Sequence, residues 1–382
     1  MTRLHRLFLT FALFFASAAF AAVPPPPQLA AKSWVLMDAA SGAVLVNHEG
    51  GTRLPPASLT KLMTSHVAAL ELQRGKIKES DLVVISEKAW RMGGSKMFVH
   101  VGDRISVKDL LRGIIVQSGN DASIAIAEHL AGGEDTFAAL MNQEAKRLGM
   151  ADTRFVNATG WPADGHYSSA LDMAKLARAI IIEDPEHYSM YAEKEFVWSG
   201  IKQPNRNLLL WRDPSVDGLK TGHTEEAGYC LVASAQRNGQ RLIASVFGTD
   251  SEEARAVETA KLLAYGFNFY ETRTFFKKGE AAQDVAVWKG AARSVKAGVA
   301  EHFAAALPRG EADAFQTRVV LAEGDRIAPV VAGAPLGRVE LVGADGKVVM
   351  QAPLIALEAV EEGGFFRRMW DGIRLFFRGL FG

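Results

Sequence analysis

The sequence predicts an α/β (α+β) domain with an antiparallel sheet and helices, followed by a small all-β domain and a C-terminal amphipathic helix. Up to about Tyr270, strand patterns are followed by several helical patterns and then by strand patterns again. Short apolar runs broken by glycine and proline come next, and bulky apolar residues recur at helical spacing near the end. We expect an N-terminal segment at 1–21, a first domain at 22–273, a β-rich domain at 274–360 and the helix at 361–382.

The N-terminal segment has the pattern of a cleaved secretory signal peptide. Arg3 and Arg6 precede an apolar run at 7–19, and residues 19–21 (Ala-Phe-Ala) have the small-x-small form that a signal peptidase accepts. A retained transmembrane helix would need about 18 apolar residues, whereas this run is shorter and ends before four prolines. We therefore expect the chain to be exported and cleaved.

The first domain opens with two strand patterns that a turn around Gly42 joins. Helical periodicity follows, and apolar runs with strand character return after residue 218. The predicted strands lie at 34–37, 43–46, within 219–235 and at 241–249, and the clearest helices at 58–73, 107–117, 122–130 and 136–148.

The β-rich domain is predicted from short apolar runs, each of which is bounded by turn residues. This spacing favours a small antiparallel sheet that could hold the first domain away from a surface or bind partners. The predicted strands lie at 285–288, 318–321, 337–342 and 347–350.

The last twenty residues predict a helix with one apolar and one basic face. Arg367, Asp371, Arg374 and Arg378 fall opposite the bulky apolar residues. The pattern favours binding to an anionic membrane surface, although a terminal helix that packs on the protein's own core would also be amphipathic. The apolar residues are Phe366, Met369, Trp370, Ile373, Phe376, Phe377, Leu380 and Phe381.

Composition excludes some function classes. The 43 basic and 43 acidic residues balance, which argues against a general binder of nucleic acid or other polyanions. Cys230 is the single cysteine, so the fold must depend on a large core rather than on disulfides. It lies in an apolar run without metal-ligand spacing, and we expect a buried small hydrophobe and no metal or cofactor.

Ser58 and Lys61 form a Ser-x-x-Lys motif at the predicted start of a helix. Two prolines precede the motif, so Ser58 lies near the helix N-terminus, where the dipole favours a developing anion. Lys61 lies one turn further on and can reach the Ser58 hydroxyl. To act as a base, Lys61 needs a lowered pKa, from burial or from a positive charge such as Lys220. A second Ser-x-x-Lys, Ser199 to Lys202, contains a glycine and predicts a bend.

Two further motifs supply complementary groups. Ser118-Gly119-Asn120 lies in a short loop between predicted helices, where Ser118 offers a hydroxyl for proton relay and Asn120 an amide for a substrate peptide group. Lys220-Thr221-Gly222 lies on a predicted strand, with a glycine that permits close backbone approach. Such a strand can pair with an extended peptide and bind its terminal carboxylate.

The three motifs, in this order, resemble those of the penicillin-binding protein and serine β-lactamase superfamily. The wider stretches 56–64, 117–122, 167–170 and 216–224 are similar to the low-molecular-mass D-alanyl-D-alanine carboxypeptidases, the penicillin-binding protein 5/6-like serine peptidases. The predicted export signal, β-rich domain and tail fit the same family. The resemblance thus spans nearly the whole chain.

The resemblance implies a two-step acyl transfer that removes the terminal D-alanine from a peptidoglycan pentapeptide ending in D-Ala-D-Ala, with β-lactam antibiotics as covalent inhibitors. Ser58 would be the nucleophile and Lys61 the general base. Ser118 and Lys220 would relay a proton to the leaving D-alanine, and Asn120 completes the implied catalytic set. The implied location is the periplasmic face of the bacterial inner membrane.

For substrate binding, the resemblance implies that the backbone N–H groups of Ser58 and His223 hold the oxyanion. The substrate carboxylate would lie near Thr221 and Gly222, helped by Arg206 or, as a weaker candidate, Arg255. Residues 90–98 resemble a shortened form of the loop that borders the active site in this family.

Three other functions remain open on the sequence. A serine β-lactamase shares the motifs but would not usually carry a β-rich domain and an amphipathic tail, and the chain lacks a Glu-x-x-Leu-Asn pattern for a deacylating carboxylate. A DD-endopeptidase that cuts peptide cross-links is chemically close. A non-catalytic cell-wall binding protein would not need Ser58, Lys61, Asn120 and Lys220 intact.

Overall fold

The structure is a computed structural model that describes residues 23–381, so the predicted signal peptide lies outside the described residues. The helices are α1 (Thr60–Gln73), α2 (Glu87–Arg91), α3 (Val107–Ile115), α4 (Asn120–Ala131), α5 (Glu134–Arg147), α6 (Ala170–Glu183), α7 (Pro185–Tyr188), α8 (Leu209–Arg212), α9 (Glu252–Phe269) and α10 (Phe365–Phe381). The strands of the first domain are β1 (Ser33–Asp38), β2 (Val44–His48), β3 (Leu82–Val84), β4 (Arg104–Ser106), β5 (Glu195–Trp198), β6 (Ile201–Pro204), β7 (Val216–Thr224), β8 (Gly228–Arg237) and β9 (Gln240–Thr249).

A five-stranded antiparallel sheet in the order β2-β1-β9-β8-β7 forms the centre of the first domain. Successive side chains of a strand point to opposite faces of a sheet. Val35 and Met37 accordingly enter the core on the side of α1, α3, α4 and α6, while Trp34 and Leu36 enter the core beneath α9. Both faces of the central strands are covered, which explains why they read as continuous apolar runs.

The predicted α/β architecture is confirmed, and the main differences are helices that the sequence patterns did not reveal. Helices α6 and α9 were missing from the prediction, although each begins at a serine whose hydroxyl accepts a backbone N–H three residues on. These N-caps are Ser169, which accepts from Asp172, and Ser251, which accepts from Ala254. The second Ser-x-x-Lys is a bend as predicted, because Ser199 lies in the tight turn between β5 and β6.

The second domain is all-β, as predicted. Its five-stranded sheet has the order β11-β12-β16-β15-β14 and covers an apolar core that includes Val295, Val339 and Leu354. The strand β10 follows α9 directly and pairs with β13, and we propose that the domain boundary lies within it. The strands of this part are β10 (Tyr270–Phe276), β11 (Ala281–Ala286), β12 (Ser294–Gly298), β13 (Phe303–Pro308), β14 (Gln316–Leu321), β15 (Pro335–Val342) and β16 (Val348–Ala356).

Helix α10 contacts the β-rich domain through its polar face. The Asp371 carboxylate accepts the Lys289 backbone N–H at 2.8 Å, and Arg367 donates to the Ala291 carbonyl at 3.2 Å. The apolar face remains exposed: Phe366 is 79% and Trp370 61% accessible. Nowhere in residues 23–381 is a helix both long and apolar enough to cross a bilayer.

Candidate active site

The nucleophile candidate Ser58 lies in a single 3-10 turn, Ala57–Leu59, that leads directly into α1. Ala57 has φ +48°, an unusual value for a residue with a Cβ. The Lys61 Nζ atom donates to Ser58 Oγ at 3.0 Å and to the Thr159 carbonyl oxygen at 2.6 Å. The helix start therefore places an amine within proton-transfer distance of the hydroxyl, as the Ser-x-x-Lys spacing predicts.

Lys61 has the lowered pKa that a lysine base requires. Burial of its ammonium, which is only 1% exposed, is the main cause, and the Arg206 guanidinium lowers the pKa further. The Asp121 carboxylate opposes these effects, and the resulting pKa is about 7. The expectation that Lys220 supplies the positive charge was therefore wrong in its detail, because the charge that acts on Lys61 belongs to Arg206.

Removing the Arg206 charge should move the pH dependence of catalysis. We expect the acidic limb of kcat/KM in Arg206→Gln to shift to higher pH by roughly half a unit or more, because Lys61 then holds its proton more tightly. Measurement of kcat/KM against pH at low salt tests this prediction, with Arg212→Gln as the matched control, since Arg212 is paired with Glu253 at the surface. An unchanged limb would show that the two cations are not coupled.

Two glycines allow other segments to approach the Ser58 turn. A Cβ on Gly222, in β7, would lie 2.9 Å from the Pro56 carbonyl oxygen. A Cβ on Gly160 would overlap the Ala57 carbonyl oxygen, and Gly160 also has φ +81°. The close approach that the glycine of Lys-Thr-Gly predicts is thus made by the protein's own nucleophile turn. The peptide that follows Thr159 lies against the same turn from the other side.

Gly160 offers a direct test of this packing. We expect Gly160→Ala to lower the free energy of unfolding by roughly 2–5 kcal/mol and to impair acylation, because left-handed backbone strain and overlap with Ala57 add. Gly165→Ala is the matched control, since Gly165 also has positive φ but a Cβ there would meet only the flexible end of Arg154. Its expected cost is about 1–2 kcal/mol, with acylation intact. Equal effects in thermal unfolding and acylation assays would refute the packing role of Gly160.

The Ser-Gly-Asn motif lies where α3 passes to α4, as the sequence predicts. Ser118 has φ +67°, and its buried Oγ has no hydrogen-bond partner among the described residues. A buried polar atom without a partner is costly, so this hydroxyl is available to a ligand or a proton relay. Asn120 Nδ2 donates to the Gly93 carbonyl at 2.7 Å. In this state the amide expected to bind substrate holds the neighbouring loop.

Asp121, which sequence reasoning missed, fixes the loop at 90–98. Its carboxylate accepts the backbone N–H groups of Met97 and Phe98 at 2.8 and 2.9 Å. Arg206 donates to the Ser95 hydroxyl of the same loop at 2.7 Å. The loop thus joins the Ser-Gly-Asn motif to Arg206 on the rim of the site. An acidic residue in the first turn of a predicted helix, directly after Asn120, was the available signal.

The Lys-Thr-Gly motif lies on β7, an edge strand of the central sheet. Lys220 and Thr221 are buried, and Lys220 Nζ donates to the Thr221 carbonyl at 3.2 Å. Burial, together with the charges of Lys61, Arg206 and Arg255, holds the pKa of Lys220 well below its usual value. Because these cations repel one another, an anion bound among them would be stabilised.

The two residues predicted with least support lie at the edge of this cationic region. The exposed His223 ring stacks on Tyr229, with ring centroids 4.0 Å apart. Arg255 lies over the same tyrosine ring, 5.5 Å from its centroid, and donates to the Arg206 backbone carbonyl at 3.4 Å. Arg255 is only 2% exposed. The structure therefore places Arg206 at the mouth of the site and Arg255 beneath it.

Comparison with known proteins agrees with this geometry. The sequence model of the D-alanyl-D-alanine carboxypeptidase family matches residues 19–251, and that of the penicillin-binding protein 5 C-terminal domain matches 270–362. The D-alanyl-D-alanine carboxypeptidase DacC of Escherichia coli K12 is 43% identical over 381 residues, which cover 97% of this chain and 95% of the relative. DacA of Haemophilus influenzae is 42% identical over 362 residues, covering 93% and 92%.

Solved structures show the same arrangement of domains. Penicillin-binding protein 5 from Haemophilus influenzae matches with a TM-score of 0.81 and 42% identity, covering 89% of this chain and all of that one. Penicillin-binding protein 6B from Escherichia coli matches with a TM-score of 0.73 and 39% identity, covering 88% and 98%. The resemblance inferred from the three motifs is confirmed: this chain belongs to the D-alanyl-D-alanine carboxypeptidase family of penicillin-binding serine peptidases.

Proposed function

We propose that this chain removes the terminal D-alanine from peptidoglycan stem peptides through an acyl-enzyme on Ser58. The observation that carries the proposal is the 3.0 Å contact between Ser58 Oγ and a Lys61 amine whose pKa is about 7. A neutral amine at this distance can take the hydroxyl proton as the oxygen attacks the carbonyl carbon between the two alanines. Backbone N–H groups of Ser58 and His223 would then hold the oxyanion.

Collapse of the tetrahedral intermediate breaks the carbon–nitrogen bond and releases D-alanine, which needs a proton on its amine. The buried, unpartnered hydroxyl of Ser118 and the amine of Lys220 are the groups we assign to that relay. Among the cations Lys220, Arg206 and Arg255, the free carboxylate of the substrate would bind beside Thr221 and Gly222. Water then hydrolyses the ester and frees Ser58.

The surroundings of Lys61 support a carboxypeptidase rather than a β-lactamase. Within residues 23–381, the hydrogen bonds of Lys61 Nζ go to Ser58 and Thr159, and no carboxylate bonds to either Ser58 or Lys61. A dedicated carboxylate base for hydrolysis of a penicilloyl ester is thus lacking in this part of the chain.

The assay for this function is D-alanine release by the mature chain from an acetylated peptide ending in D-Ala-D-Ala. A matched peptide ending in L-Ala-L-Ala is the control and should not react. Failure to release D-alanine would refute the carboxypeptidase proposal. Rapid multiple turnover of penicillin would instead favour the β-lactamase alternative.

We also propose that the chain is exported and attaches peripherally to the outer surface of the cytoplasmic membrane, facing peptidoglycan. The predicted signal peptide supports export. The exposed face of α10, with Phe365, Phe366 and Phe376 each at least 66% accessible, supports insertion into a lipid interface. The polar face of α10 contacts the β-rich domain, so the apolar face points away from the protein.

Deletion of residues 364–382 tests the attachment. The truncated mature chain should no longer float with anionic liposomes, yet it should release D-alanine from a soluble peptide at an unchanged rate. Phe376→Asp, which places a charge on the exposed face, should weaken flotation in the full chain. Flotation that persists after the deletion would place the anchor elsewhere.

A further inference from the structure

A groove of about 500 Å³ adjoins the Ser58 turn and takes no part in the chemistry described above. Its floor includes Pro56 and Ala57, directly before the nucleophile. One wall is the loop at 160–167, and the other includes Thr224 and Glu226, just beyond the Lys-Thr-Gly motif. The groove is therefore continuous with the backbone that surrounds Ser58.

The direction of β7 indicates which part of a substrate reaches this groove. The following step rests on the proposed function. If the substrate carboxylate binds at Lys220 and Thr221 and the scissile carbonyl lies at Ser58, the peptide runs along β7 toward His223. The residues that precede the two alanines then continue past Thr224, where the groove begins.

The charges of the groove are not balanced. Its cation, Arg53, already binds the Asp152 carboxylate at 3.1 Å and lies over the Tyr167 ring at 4.8 Å. The carboxylates of Asp164 and Glu226 are exposed, and neither forms an ion pair or a side-chain hydrogen bond within residues 23–379. Lys32 Nζ contacts the backbone carbonyl of Glu226, at 3.4 Å, rather than its carboxylate.

Aromatic rings supply the apolar part of the groove. Trp161 is 48% exposed on the loop wall, and Tyr167 is half-buried at the end of the same loop. Flat rings beside carboxylates suit a long side chain whose methylene groups pack on the rings while its charged end stays in water.

We infer that this groove is a specificity subsite for a substrate residue that precedes D-Ala-D-Ala and carries a free ammonium group on a long side chain. Asp164 and Glu226 attract the ammonium, and Trp161 and Tyr167 contact the aliphatic part. The subsite raises kcat/KM for such peptides and takes no part in bond breaking.

The test compares two peptides, Nα-acetyl-Lys-D-Ala-D-Ala and its Nε-acetylated form, which differ only in the charge at the end of the side chain. The measured quantity is the ratio of their kcat/KM values. Because exposed ion pairs are weak, we expect a ratio of about two- to five-fold for each carboxylate, which falls in high salt. Glu226→Gln and Asp164→Asn should each lower the ratio, and the double variant should bring it close to one.

Glu225→Gln is the matched control, because Glu225 is an exposed neighbour of Glu226 that does not line the groove. It should keep the wild-type ratio. Equal kcat/KM values for the two peptides in the wild-type chain, or a ratio that survives in the double variant, would overturn the subsite. Release of D-alanine from the Nε-acetylated peptide shows that the carboxypeptidase function holds in either case, so the two failures are distinguishable.

Discussion

Ser58→Ala is expected to lower kcat/KM for D-alanine release by at least about 10⁴-fold, because the nucleophile that forms the acyl-enzyme is lost. The fold should survive, since Ser58 is half-buried and its hydroxyl bonds only to Lys61 among the described residues. The change removes one oxygen from a turn whose shape depends on Ala57, Gly160 and Gly222. Thermal unfolding of the variant should therefore resemble that of the wild-type chain.

The chain supplies its own control for this prediction. Ser199 begins the second Ser-x-x-Lys, but it lies in the exposed turn between β5 and β6. Ser199→Ala should release D-alanine at the wild-type rate. If Ser58→Ala kept even a hundredth of the wild-type kcat/KM, a different group would have to be the nucleophile.

Lys61→Arg is expected to lower acylation by about 10²–10⁴-fold, although it keeps the positive charge. A guanidinium stays protonated at every physiological pH and cannot accept the Ser58 proton. In the wild-type chain, Lys61 is charged below its pKa and neutral above it. Acylation should therefore fall with decreasing pH below about 7 and reach a plateau above it.

The pH profile separates a base from a merely structural lysine. The acidic limb near pH 7 should vanish in Lys61→Arg, leaving a low and flat rate. Lys202→Arg, in the second Ser-x-x-Lys, is the matched control, because Lys202 pairs with Glu195 at the surface. Wild-type activity and pH profile in Lys61→Arg would exclude proton transfer to this residue.

Local patterns predicted the parts of the site that depend on local geometry. Ser58 and Lys61 face each other because a helix begins between them, and the prolines before Ser58 reveal that start. Lys220 lies on a strand whose apolar alternation is visible in the sequence. In each case the chemistry and the element that positions it lie within a few residues of one another.

Contacts between distant segments could not be predicted in the same way. The Thr159 carbonyl that accepts from Lys61 is 98 residues away along the chain, and the Gly160 contact with Ala57 depends on how the whole helical layer packs. Arg206 is also brought to Lys61 by tertiary structure, which is why its influence on the pKa was first assigned to Lys220. No periodicity in a sequence reports such distances.

The shape of a helix pattern also limited the prediction. Helix α9 has apolar residues on several sides, because it packs under the central sheet and near the start of the second domain, so it lacks a clean polar face. Helix α10 has two distinct faces and was easy to predict. What α10 contacts was not: its polar side, rather than its apolar side, rests on the β-rich domain.

The central claim is that Ser58 forms the covalent intermediate. Its most direct test is mass spectrometry of the intact mature chain after brief exposure to benzylpenicillin, followed by peptide mapping. We expect one penicilloyl adduct per chain, located on the peptide that contains Ser58 and absent in Ser58→Ala. An unmodified wild-type chain, or an adduct that persists in Ser58→Ala, would contradict the assignment.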